Sequence, residues 1–80
     1  MIRVRVNRAN FDVALIRHNL SQADLARKMS YSAVYLSNVL NNRREPSAHM
    51  RRLILENLPG YTFDDLFIIE QDEQKDGTNQ

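Results

Sequence analysis

Ser21-Gln22-Ala23-Asp24-Leu25-Ala26-Arg27-Lys28-Met29-Ser30-Tyr31-Ser32-Ala33-Val34-Tyr35-Leu36-Ser37-Asn38-Val39-Leu40 is the stretch whose reading decides the fold. Ser21 is a preferred helix N-cap, and Asp24 adds negative charge to the first turn that follows it. Ser32 repeats the N-cap signal. A helix over 22–29 buries Leu25, Ala26 and Met29 on one face, and a helix over 33–40 turns Leu36, Val39 and Leu40 inward. Ser30-Tyr31 between them leaves room only for a tight turn. Two short helices joined by a turn of about three or four residues make a frame that can hold one helix out into solvent.

Upstream, Ile2-Arg3-Val4-Arg5-Val6 alternates apolar and basic residues with the period of a strand. It is too short to stand alone and needs a partner edge or a docking surface. Asn7 can cap a helix over 8–18 with Phe11, Ala14, Leu15 and His18 on one stripe, and Asn19 suits the left-handed residue that ends it. Downstream, 41–46 is a polar loop, and Pro46 forbids a helix running through Glu45. Ser47 caps a helix over 48–58 carrying Met50, Leu53, Ile54 and Leu58, which Pro59-Gly60 stops. Thr62 opens a fifth helix expected to run to Ile68 or Ile69. From Glu70 the chain is polar, so 70–80 is expected to be a disordered acidic tail behind one domain over 1–69.

Eighty residues allow one domain and bury too little surface for a deep catalytic cleft. The absence of cysteine excludes disulfides, thiolate metal sites and cysteine nucleophiles, and it agrees with a cytoplasmic location. No apolar run approaches the roughly 20 residues that span a bilayer, and no signal peptide is expected. Residues 1–69 hold ten Lys/Arg against six Asp/Glu, whereas 70–80 hold one Lys against four acids. The part expected to fold is therefore the basic part, which suits a polyanionic partner and equally an ordinary solvated surface.

Ser21, Gln22, Leu25, Ala26, Met29, Ser32, Leu36 and Val39 together resemble the helix-turn-helix of the Cro and lambda-repressor type, the Xre family. The resemblance extends from about Phe11 to Phe67, with Pro46-Ser47 and Asp65-Leu66 in register. It implies a compact, all-α, five-helix lambda-repressor-like domain, with Ile2–Val6 as a possible short β-strand. It also implies double-stranded DNA as partner, with the helix over 33–40 in the major groove. On that basis Ala33, Val34, Ser37 and Asn38 are the base-reading positions, and Gln22, Ser32, Tyr35, Arg43 and Arg44 are the candidates for phosphate contact. Asn38 can pair bidentately with adenine, and the methyl groups of Ala33 and Val34 suit thymine methyls. The alternatives are a solvated amide for Asn38, a helix-start polar residue for Gln22 and surface packing for Tyr35. Arg3, Arg5 and Arg8 read more simply as solvated than as a DNA-reaching arm.

Two departures from the family pattern bear on structure. Ser30 and Asn42 stand where relatives often have glycine, so both are expected at positive φ or in an altered turn. Leu15 and Leu40 stand where many relatives hold a buried Arg and Glu. Exchanging both partners for leucine is tolerable only if the two side chains meet.

An enzyme is not expected: His18 and His49 stand on separate helices with no catalytic spacing, and Gly60 and Gly77 form no phosphate loop. No cofactor, metal, membrane or small-molecule ligand is implied. The expected function is that of a small transcriptional regulator of phage or mobile-element type, a repressor rather than an activator, acting as a homodimer. The rival is a protein-interaction module such as an antitoxin. Tyr61, Phe63, Phe67 and Ile68 on the fifth helix are the first candidates for a dimer surface, with self-pairing of Ile2–Val6 as the second.

Overall fold

The computed structural model describes residues 1–71. The order of elements is β1 (Ile2–Val6), α1 (Arg8–Arg17), α2 (Gln22–Met29), α3 (Ala33–Leu40), α4 (Ala48–Asn57), α5 (Phe63–Leu66) and β2 (Phe67–Gln71). Every helix starts where a side chain can satisfy its first amides. Asn7, Ser21, Ser32, Ser47 and Thr62 are extended N-caps, and each accepts a hydrogen bond from the backbone three residues on. At α2 and α5 the acids Asp24 and Asp65 complete reciprocal capping boxes with Ser21 and Thr62.

The first three helices end alike. Asn19, Ser30 and Asn42 lie in the left-handed region at φ 56°, 62° and 60°. Each amide there donates back to the carbonyl three residues earlier, and the next amide donates five residues back, as Ser30 N to Arg27 O and Tyr31 N to Ala26 O. This crossed pair satisfies carbonyls that the helix end would otherwise orphan. Asparagine visits that backbone more readily than most residues, whereas Ser30 carries the strain of a Cβ there.

The core gathers Val6, Phe11, Ala14, Leu15, Leu25, Ala26, Met29, Leu36, Val39, Leu40, Met50, Ile54, Leu58, Leu66 and Phe67, all buried. Leu15 and Leu40 both belong to it. Leu53 is only partly buried, and His18 is held at the rim, with Nε2 2.8 Å from the Pro59 carbonyl and its ring edge-on to Tyr61.

The end of the domain differs from the all-α expectation. The fifth helix stops at Leu66 after four residues, and Phe67–Gln71 is a strand antiparallel to β1, with Val6 opposite Phe67 and Val4 opposite Ile69. The run Phe67-Ile68-Ile69 carries an aromatic and two β-branched residues, which favour a strand once a partner edge is present, and β1 supplies that edge. Phe67 is consequently buried and Ile68 faces out on the sheet, so neither lies on a helix-five surface. Tyr61 and Phe63 pack against the core. Glu70 and Gln71, expected to open the acidic tail, are rungs of β2, and the rest of that expectation, 72–80, lies outside the described residues.

Glu70 ties the outer face of the sheet, its carboxylate 2.8 Å from Arg5 and 3.4 Å from Arg3. The hydrogen bond from Arg5 is the first reason its carboxyl lies below its ordinary range. A lowered carboxyl stabilises the fold above its ordinary titration range, and that contribution is lost as pH falls through the lowered midpoint. An NMR titration should show the Glu70 midpoint rising toward the ordinary value in Arg5→Ala; an unchanged midpoint would assign the shift elsewhere. Replacing Ser30 with Gly should relieve about 1 kcal/mol of left-handed strain. Thermal unfolding should report this as a rise of roughly 4–8 °C in a domain this small. A lower melting temperature would show that the Ser30 side chain stabilises the turn.

Candidate nucleic-acid interface

α3 is fixed on one side and open on the other. Ser32 accepts from the Tyr35 amide at 3.0 Å, and Leu36, Val39 and Leu40 are driven into the core. On the opposite side Ala33 and Val34 are exposed, Val34 by 72%, while Ser37 and Asn38 are half-buried. The four positions thus form a ridge whose N-terminal half stands clear of the protein. The carbonyl of Asn38 accepts from the amides of Arg43 (2.9 Å) and Arg44 (3.3 Å), which folds the following loop back onto the helix end. Among the described residues no hydrogen bond engages the Asn38 side-chain amide.

The loop that carries Arg43 and Arg44 is pinned on both flanks. Before them, Asn42 accepts from the Val6 amide at 3.1 Å; after them, a carboxylate oxygen of Glu45 accepts from the Val4 amide at 2.8 Å. Arg8 adds a third tie, donating to Asn41 Oδ1 at 3.0 Å. β1 therefore serves as a rail on which the loop is seated, and two exposed guanidinium groups project between its anchors. Sequence reading missed Asn42 and Glu45 in this role, since no local pattern connects a loop acid to a strand 41 residues away.

An aromatic stack lies beside the loop. Tyr31 and Tyr35 stack with ring centroids 5.2 Å apart and planes 14° from parallel, and the Arg44 guanidinium lies 5.2 Å from the Tyr35 centroid. Tyr35 thus touches Arg44 through its ring, a role its sequence position does not disclose. A guanidinium held over an aromatic face is ordered at little entropic cost and retains N–H donors for an anion.

Four of the other cations are already engaged in ion pairs. Arg3 and Arg5 pair with Glu70, Arg8 with Asp12, and Arg27 with Asp24. The Asp24 carboxyl is held below its ordinary range, first by the Ser21 amide and then by the Ser21 hydroxyl. Arg43 and Arg44 form no ion pair among the described residues, so uncompensated positive charge sits next to α3. Gln22 is half-buried at the start of α2, beside the Ser21–Asp24 capping box.

Comparison with known proteins adds one positive finding. The family model for helix-turn-helix domains, of the Cro and lambda-repressor (Xre-like) type, matches residues 14–66, from within α1 to the end of α5. Neither the curated proteins nor the solved structures yield a match. No helix among the described residues is long and apolar enough to cross a membrane.

Tyr35 offers a direct test of the stack. A cation over an exposed ring is worth about 0.5–1 kcal/mol, so Tyr35→Leu should weaken duplex binding roughly two- to fivefold. Tyr35→Phe keeps the ring and should bind as the parent does. Equal losses in both variants would instead assign the contribution to the hydroxyl.

Proposed function

Since the chain belongs to the Cro and lambda-repressor type helix-turn-helix family, we propose that it binds double-stranded DNA sequence-specifically by laying α3 in the major groove. The observation that carries this reading is the ridge on α3, with the Asn38 amide uncommitted and two uncompensated arginines held at its end. A groove-reading helix needs base-edge donors in the middle and cations at the phosphate rim, and α3 with its loop supplies both. In this reading Ala33, Val34, Ser37 and Asn38 read bases, with Asn38 on adenine and the two apolar side chains on thymine methyls. Arg43, Arg44, Gln22 and Ser32 hold the backbone, and Tyr35 contributes through the Arg44 guanidinium that its ring carries.

The protein is then a small cytoplasmic transcriptional regulator, a repressor of phage or mobile-element type that acts by occupying its site. Two-fold pairing of such domains places their recognition helices one turn of DNA apart, about 34 Å, and sets a palindromic operator. A second reading, recognition of a protein partner as in an antitoxin, draws on Val34, whose exposed apolar surface would also suit a protein groove.

Titration of duplex DNA at several salt concentrations separates the roles. Each neutralised phosphate contributes a slope of about −0.9 in log affinity against log salt. Arg43→Ala should lower affinity for all sequences and reduce the slope by about one phosphate, whereas Asn38→Ala should relax preference at a single base pair. Binding to a specific site that survives intact in the Asn38/Arg43 double variant would overturn the assignment of α3 and its loop.

A further inference from the structure

Four arginines from two elements line one cleft. Arg3 and Arg5 of β1 and Arg43 and Arg44 of the loop after α3 surround a volume of about 140 Å³, together with Asn42 and Glu45. That is many times the roughly 10–15 Å³ that seats one water, so a phosphoryl group fits. The acceptors of the cleft are turned to the strand. Glu45 Oε2 takes the Val4 amide at 2.8 Å and Asn42 Oδ1 the Val6 amide at 3.1 Å, which leaves the Asn42 Nδ2 group to donate. A guanidinium carries five N–H donors. Glu70 takes one from Arg3 and one from Arg5, and the other side-chain donors of the four arginines find no acceptor among the described residues. Four guanidinium groups stand against two carboxylates, Glu45 and Glu70, so positive charge is in excess. Arg3 and Arg5 are braced by Glu70, and Arg44 by the Tyr35 ring, which leaves less side-chain entropy to lose on binding.

We infer that the cleft between β1 and this loop is a phosphoryl-binding site, in which Arg3 and Arg5 act together with Arg43 and Arg44. Planar forks that approach from a strand and from a loop suit oxygens pointing in several directions, as in a tetrahedral phosphoryl group, better than one planar carboxylate. Arg3 and Arg5 thereby depart from the solvated role expected of them from sequence. Two sources offer the same chemistry: a backbone phosphate beside the groove that α3 enters, and the phosphoryl group of a small solute. A backbone phosphate held there extends the duplex contact from the loop onto β1. A phosphorylated solute held there takes Arg43 and Arg44 away from the duplex. The duplex case rests on the DNA-binding reading; the site itself does not.

Pyrophosphate probes the site in the full chain without DNA. The side-chain Nε–Hε resonances of Arg3, Arg5, Arg43 and Arg44 should shift together and saturably as it is added. Replacing both strand arginines, Arg3→Gln with Arg5→Gln, should raise its dissociation constant roughly tenfold. Duplex binding across salt is the second arm: if β1 holds a backbone phosphate, the same double variant loses about 0.9 of the log–log slope. Arg17→Gln with Arg52→Gln, an equal loss of charge at exposed positions outside the cleft, should leave both readouts close to those of the parent. A shallower slope assigns the site to the DNA backbone, whereas a pyrophosphate response with an unchanged slope assigns it to a small phosphorylated solute. Arg3 and Arg5 silent to pyrophosphate, with the slope unchanged in their double variant, would overturn the inference and leave the DNA-binding reading standing. Equal effects in the two double variants would reduce the cleft to bulk charge and overturn it as well. A parent that answers pyrophosphate but binds no duplex would sink the DNA-binding reading and keep the site. The parent's own resonances keep the test decisive should the variant lose its sheet.

Discussion

The crossing of α2 and α3 constrains everything else in the domain. Ala26 is the small buried residue of α2, in one core with Leu25, Met29, Leu36 and Val39. Its carbonyl also receives the amide of Tyr31, so one residue serves both the helix packing and the turn that redirects the chain. A larger side chain there would push the helices apart, and overpacking of this kind costs typically 1–3 kcal/mol. With the crossing set, the period of the helix leaves Ala33, Val34, Ser37 and Asn38 on the side away from the core.

A second layer of organisation surrounds that crossing. The crossed hydrogen bonds that end α3 fold the loop back, and β1 fastens its two flanks through Asn42 and Glu45. Asn42 does two things at once, adopting the left-handed backbone that ends α3 and capping the edge of a distant strand. The sheet therefore belongs to the same mechanical unit as the arginine loop. Tyr35 extends the unit, carrying Arg44 on a ring that is itself stacked on Tyr31.

Much of this is legible in the sequence wherever the chemistry is local. The N-caps Asn7, Ser21, Ser32, Ser47 and Thr62 announce themselves because a short polar side chain ahead of an apolar period has one efficient use. Of the left-handed positions, Asn19 follows from where α1 has to end, whereas Ser30 and Asn42 stand out through the glycine that the resemblance puts there. The resemblance to the helix-turn-helix family carried by Ser21, Gln22, Leu25, Ala26, Met29, Ser32, Leu36 and Val39 is borne out by the family model over 14–66. What sequence misplaces is decided at long range. Leu66-Phe67-Ile68-Ile69 reads as the end of the fifth helix, and it is β1, at the other end of the chain, that makes Phe67–Gln71 a strand instead. The loop anchors and the Tyr35–Arg44 contact are hidden for the same reason: they depend on which surfaces meet after folding.

The central claim is that the outward ridge of α3, together with the loop that ends it, is the surface applied to DNA. Amide chemical shifts of the full chain, followed by NMR as a short mixed-sequence duplex is added at low salt, test it most directly. The account predicts that the largest changes fall on 33–38 and 43–44, with the buried face of α2 little affected. Changes gathered elsewhere on the domain while α3 stays silent would contradict it.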